Sequence, residues 1–294
     1  MFKKYPSFFM FLSLMLTAPI IMISSNNFYY SWISMEMSLF GFIPLFLGLY
    51  VENMVKYFIV QASGSAMILI SVIMNSKLLY FLSISMKLGM FPFFQWIPMV
   101  MTSLSWMGCA AMTTVQKIAP FMMIIHSSSN YFFYSAILSI LIGGFMGVNQ
   151  TYMRDLMSYS SISHGGWVTL SMFISVSFFF VYLTIYFTLN LMLMNIFSNN
   201  ETIMTSNVTN NNLTSSLLIL TILGMPPFSI FFLKCWIIFY LTLPLQLLVV
   251  LGAAWAAFYY MSVTISSLSL KMNKSNLTLV IMITAINALI MWVF

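Results

Sequence analysis

The chain is short of charge. Of its 294 residues, 5% are Asp, Glu, Lys or Arg, against about 25% in an ordinary globular domain, and that little charge excludes a water-facing surface. Cysteine is equally scarce. Cys109 and Cys235 are the two present, both inside apolar runs, so a disulfide framework and a thiolate metal site have no support and the pair reads as small packing residues. Ten Lys and Arg give a net charge of +6, but they are spread along the chain without a patch or basic arm, which excludes a nucleic-acid partner. No glycine-rich dinucleotide turn follows a strand, and no cysteine or histidine cluster could hold iron. Sustained polar composition is confined to residues 198–215, leaving no stretch long enough for a soluble domain.

Apolar residues fill the remainder: 62% of the chain is hydrophobic, in runs near 20 residues without two-residue alternation. In hydrocarbon each backbone amide must be satisfied within its own helix or in a closed barrel, so such runs select helices. The expected fold class is all-α, a polytopic membrane protein forming a single integral-membrane domain over 1–294. Taking roughly 20 residues per crossing, the spans fall near 7–24, 28–49, 57–75, 78–98, 103–125, 131–149, 157–175, 177–197, 216–241, 244–266 and 276–294, eleven helices in all. Lys3 and Lys4 before the first run outline a signal peptide, but no convincing small-residue cleavage site follows, so that run reads as the first crossing. Loop charges agree with this count. Lys3, Lys4, Lys56, Arg154, Lys271 and Lys274 fall on the side of the N-terminus, and Lys77 falls opposite, the asymmetry that the positive-inside rule describes. The shortest connector is Ser175-Val176-Ser177.

Four ionisable groups remain well inside the spans: Glu36, Lys87, Lys117 and Lys234. Lys87 and Glu36 lie roughly 12–14 Å deep, near the middle of a ~30 Å core, too deep to snorkel easily. A charge there costs roughly 2.5–3.5 kcal/mol on insertion scales, so such groups face a bundle interior and a partner. One buried acid can neutralise one of three buried lysines; the other two must titrate, bind water or lose affinity for their proton by desolvation. A buried lysine holds and releases a proton near neutral pH, and several spaced along a bundle make a proton path. His164 fits either a proton relay or a hydrogen bond to a neighbouring helix. His126, at a helix end, reads as an interface residue, and Lys56 and Lys77 at span ends read as snorkelling residues.

Helix breakers accompany the lysines. Gly89, Pro92 and Pro98 follow Lys87, Pro120 follows Lys117, and Gly224, Pro226 and Pro227 precede Lys234. Proline removes a donor and frees a carbonyl, which membranes tolerate where the opened backbone lines a cavity. Two broken helices, at Lys87 and Lys234, are the expectation, and discontinuous helices in two parts of one chain mark transporters with internal repeats.

Six stretches then resemble a known family: Trp32-Ile33-Ser34-Met35-Glu36-Met37 with Phe42-Ile43-Pro44-Leu45; Lys56-Tyr57-Phe58-Ile59-Val60-Gln61-Ala62; Lys87-Leu88-Gly89-Met90 with Pro92-Phe93 and Trp96; Gln116-Lys117-Ile118-Ala119-Pro120; Asn149-Gln150-Thr151 with Arg154, Tyr159 to His164 and Trp167; and Gly224-Met225-Pro226-Pro227-Phe228 with Lys234 and Trp236. In this order they resemble the antiporter-like membrane subunits of respiratory complex I. The excess of Met and Phe, 29 of each, likewise resembles organelle-encoded chains. The resemblance implies proton translocation in the mitochondrial inner membrane with the N-terminus on the matrix side, as a subunit of an NADH:ubiquinone reductase. It also implies that NADH, flavin, iron–sulfur clusters and ubiquinone are handled by partner subunits, with no cofactor, metal or redox chemistry in this chain, and that neighbouring antiporter-like subunits and membrane lipids are its partners. Glu36 and Lys87 would be the family's interacting pair, Lys117 the central lysine, Lys234 the lysine at the second broken helix, and His164 an accessory residue. Phe94-Gln95 and Met99 depart from the family, which usually has a histidine in this loop and an acid after the next proline. From the residues alone, a free-standing cation/proton antiporter and a purely structural membrane scaffold stay open beside the proton-pump reading.

Overall fold

The computed structural model describes residues 7–25, 27–46, 51–125, 127, 129–200 and 212–269. Those residues are almost wholly helical, without a β-strand among them, the form in which each segment satisfies its own backbone. The chain divides into two compact units, residues 1–136 and 137–294.

The first unit holds α1 (Ser7–Ser24), α2 (Phe28–Phe42) with a 3-10 turn over Ile43–Phe46, α3 (Val51–Ile73), α4 (Lys77–Leu88), α5 (Trp96–Met101), α6 (Trp106–Thr113), α7 (Val115–Ile125) and the start of α8 (Asn130–Gly147). α1 packs along α2 and α3 along α4, while α7 packs against α1, α2 and α4. A Cβ on Gly41 would stand 2.7 Å from the Met15 nitrogen, so α1 and α2 meet backbone to backbone, the close approach that small residues give membrane helices.

The second unit holds the rest of α8 and then α9 (Met153–Met172), α10 (Val176–Asn200), α11 (Asn212–Leu223), α12 (Ser229–Tyr240) and α13 (Leu243–Ser269). Glycines again set the spacing. Gly143 abuts the Ser163 backbone of α9, and Gly144 abuts the Gly252 carbonyl of α13. α9 is the least apolar of these helices in composition, with five serines and a histidine, yet every residue from Ser160 to Ser171 is buried. Its serines tolerate that burial because their hydroxyls donate to their own helix, as Ser160 does to Met157 at 2.8 Å and Ser161 to Ser158 at 2.8 Å. The outer surface is the reverse: Phe239 is 84% exposed, Ile73 81% and Leu243 76%, an apolar exterior suited to lipid.

Several expected spans change their bounds. The span expected over 57–75 starts at Val51, so Glu52 and Lys56 lie in the first turns of α3 and form an i,i+4 salt bridge of 2.6 Å. Those over 78–98, 103–125 and 216–241 are each two helices. The short joint near Ser175 does separate two helices, because the Ser175 hydroxyl accepts the Phe178 amide at 3.2 Å and caps α10. The span over 276–294, His126, Lys3, Lys4, Lys271 and Lys274 lie outside the described residues.

Candidate functional site

The two expected breaks share one construction. α4 stops at Leu88 because Gly89 takes the left-handed conformation (φ 65°), letting its amide bond the Met86 carbonyl and the Met90 amide bond that of Ser85 at 3.0 Å. α11 stops at Leu223 in the same way, with Gly224 at φ 79° and the amides of Gly224 and Met225 converging on the Leu220 carbonyl at 3.2 and 3.4 Å. Glycine is required because a side chain is strained in this region. Pro92, and then Pro226 and Pro227, keep the helix from resuming at once, and it restarts at Trp96 and Ser229. At each break side chains also donate to the helix-end carbonyls. At the first, Trp96 Nε1 donates to Met86 O at 3.1 Å and Gln61 Nε2 to Lys87 O at 3.2 Å. At the second, Lys234 Nζ donates to Leu223 O at 2.8 Å. Both lysines therefore sit at the negative end of a half-helix, where a cation is favoured.

A third interruption accompanies Lys117, but not where proline alone suggests. Pro120 lies inside α7, and the helix is instead interrupted upstream at Thr114 (φ −118°, ψ −78°). The Lys117 amide bonds the Thr114 carbonyl at 3.1 Å, one residue closer than in a regular α-helix. Pro120 lacks an amide hydrogen and its ring faces the carbonyl four residues earlier, Gln116, so its own effect also falls on the N-terminal side, between Thr114 and the proline.

In the first unit, Lys87 and Lys117 are buried, 5% and 6% exposed. The Lys87 stem runs over bare backbone, its Cγ 2.9 Å from where a Gly64 Cβ would stand. Glu36 is half-buried in the middle of α2. Its Oε1 is fully covered and has no protein hydrogen-bond partner. The carboxylate is within electrostatic reach of Lys87 and Tyr57, but among the described residues no salt bridge joins Glu36 to Lys87. Neutral groups tie the helices together around them. Gln116, next to Lys117, donates to the Ser38 carbonyl of α2 at 2.9 Å and accepts from the Tyr57 hydroxyl of α3 at 3.2 Å.

In the second unit, Lys234 is 8% exposed and its ammonium stands 5.5 Å from the ring centroid of Trp167 on α9, a cation–π contact. His164, one turn earlier on α9, is buried; its Nδ1 shares a hydrogen bond of 3.3 Å with the Tyr182 hydroxyl, and its ring stacks on Tyr186 with centroids 4.6 Å apart. Gln95, in the loop that departs from the family, is exposed at the start of α5.

Glu36, Lys87 and Lys117 thus belong to one unit and His164 and Lys234 to the other. Sequence reasoning missed the groups that hold them: Gln61 and Gln116 on the first set, Tyr182 and Tyr186 on the second. The glutamines carried a usable signal, as amide side chains inside apolar runs. The tyrosines carried none, being indistinguishable from the other aromatics.

Helical membrane architecture, glycine-broken helices and lysines buried beside the breaks define a class, the antiporter-like proton-translocating membrane subunits. The chain belongs to the transmembrane family described as NADH:quinone oxidoreductase/Mrp antiporter, which matches residues 7–259. Among its relatives, NADH-ubiquinone oxidoreductase chain 2 of Locusta migratoria is 31% identical, covering 91% of this chain and 87% of that one. The Anopheles gambiae protein of the same name is 34% identical over 78% of this chain and 74% of its own. The fold matches a chain of respiratory complex I from Thermus thermophilus with a TM-score of 0.78 at 17% identity, covering 91% of this chain and 71% of that one.

Proposed function

We propose that this chain is a membrane-arm subunit of respiratory complex I, seated in the mitochondrial inner membrane with its N-terminus on the matrix side. It carries protons across that membrane while partner subunits, holding the flavin and iron–sulfur clusters, oxidise NADH and reduce ubiquinone. The observation that carries this reading is the burial of Lys87, Lys117 and Lys234 within helices, with Glu36 half-buried in α2 and two of the lysines at glycine-terminated half-helices. Apolar packing alone would not retain them, since taking a charge out of water costs several kcal/mol.

Glu36 and Lys87 form the entrance to the path. They are within electrostatic reach yet not in contact, so a small movement of α2 changes their interaction. Approach of the carboxylate favours the charged ammonium, and withdrawal favours release of its proton. Lys117 receives it, with Gln116 linking the helix of Glu36 to that of Lys117. Lys234 is the later carrier, its ammonium held by the Leu223 carbonyl and Trp167, and His164 serves as an accessory group. The test is Lys117→Met in the assembled complex, with protons pumped per electron measured in sealed vesicles. Loss of coupled pumping through this subunit is expected; an unchanged stoichiometry would sink the assignment.

A further inference from the structure

One face of α3 touches each helix that carries a charged group of the first unit. Gln61 donates to the Lys87 carbonyl at the end of α4, and Tyr57, one turn earlier on the same face, reaches both α2 and α7. Tyr57 is 1% exposed. Its ring packs against Phe42 of α2, Phe46 of the following 3-10 turn and Trp96 beyond the Lys87 break, with centroids 5.0, 5.7 and 6.1 Å away. Its hydroxyl donates to Gln116 Oε1 at 3.2 Å, and Gln116 Nε2 donates to the Ser38 carbonyl at 2.9 Å. The direction of this chain is forced. A carbonyl only accepts, so the amide nitrogen must face Ser38 and the amide oxygen must face α3, where a donor has to meet it. Tyr57 is that donor. The tie acts where the backbone is least constrained: Gln116 lies in the first turn of α7, directly after the interruption at Thr114, while Ser38 lies two residues beyond Glu36.

We propose that Tyr57 is a positioning residue: its hydroxyl orients the Gln116 amide, which ties the first turn of α7 to α2 and so holds Lys117 in register with the helix of Glu36. The proposal rests on the proton path described above. Tyr57 carries no proton in it. Its ring braces α2 and the segment after the Lys87 break, and its hydroxyl acts on Lys117 only through the neighbouring amide, so a displacement of α2 is passed to α7 while the bond is made.

Tyr57→Phe removes the hydroxyl and keeps the ring, and Gln116→Leu removes the amide. Both are measured in the intact complex in sealed vesicles, with NADH-driven proton translocation normalised to the amount of assembled complex. Each single variant is expected to slow translocation about 2- to 10-fold, the range for one lost neutral hydrogen bond, with KM for NADH and ubiquinone unchanged. The double variant should be no slower than Gln116→Leu alone, because the hydroxyl works through the amide. A merely structural contact lowers the yield of assembled complex and leaves the rate of what assembles unchanged; that result overturns the proposal, as do additive losses in the double variant. Lys117→Met separates this inference from the path it rests on. If Lys117→Met abolishes pumping while Tyr57→Phe and Gln116→Leu pump at the unmodified rate, the positioning role fails and the path stands; if Lys117→Met pumps normally, the path itself fails and the positioning role with it.

Discussion

At the scale of single residues, the telling feature of Glu36 is what it fails to do. A carboxylate inside α2 with a covered oxygen and no protein partner is an expensive arrangement, and a fixed ion pair with Lys87 would relieve it. The pair is held apart instead, which suits a group whose interaction must change during turnover. Glu36→Gln retains size and hydrogen-bonding capacity while removing the charge. Assembly of the complex should be unaffected and proton translocation per NADH oxidised should fall, as read by dye-quench in sealed vesicles; full pumping in this variant would remove Glu36 from the path. Around the lysines, neutral groups carry the geometry. Gln61 and Trp96 fix the carbonyls at the end of α4, so the Lys87 backbone is anchored while its side chain stays free to respond.

At the scale of elements, the half-helices depend on two glycines with positive φ. A Cβ in the left-handed region costs roughly 1–2 kcal/mol, and at Gly89 it would also run into the Ile97 side chain, whereas at Gly224 it would approach Ile230 at 3.2 Å. Gly89→Ala is therefore expected to destabilise more than Gly224→Ala, the latter by about 1–2 kcal/mol. Yield of assembled complex on native gels, followed against temperature, measures the order; equal or reversed losses would show that the breaks do not rest on these backbone conformations. The distortion at Thr114 is of another kind, with no glycine and no positive φ. It brings a 3-10-type bond to Lys117, while Pro120, having no amide hydrogen, leaves the Gln116 carbonyl without its helical donor.

At the scale of the whole molecule, the chain has an apolar exterior, a polar interior along α9, and no driving reaction of its own in the proposed role. Energy must then arrive through contacts with partner subunits. Proton flux in reconstituted vesicles should require NADH, quinone and the intact assembly, and should be insensitive to exchange of sodium for potassium. Sodium- or potassium-dependent proton flux from the isolated chain would favour the free-standing antiporter instead.

Composition and spacing alone determined the medium, the helical class and the identity of the intramembrane charges. Apolar runs of membrane length leave no other way to satisfy the backbone, and a charge within them is conspicuous. Gly89-Met90-Phe91-Pro92 and Gly224-Met225-Pro226-Pro227 also announced their breaks, because local chemistry ends a helix. The rest was decided by tertiary structure. Whether Glu36 touches Lys87, which carbonyl Lys234 bonds, that the distortion near Lys117 precedes it, and that Tyr182 and Tyr186 gather beside His164 depend on how helices distant in sequence pack. In a chain with 15 tyrosines and 29 phenylalanines, nothing local separates a hydroxyl bound for the interior from a ring that faces lipid.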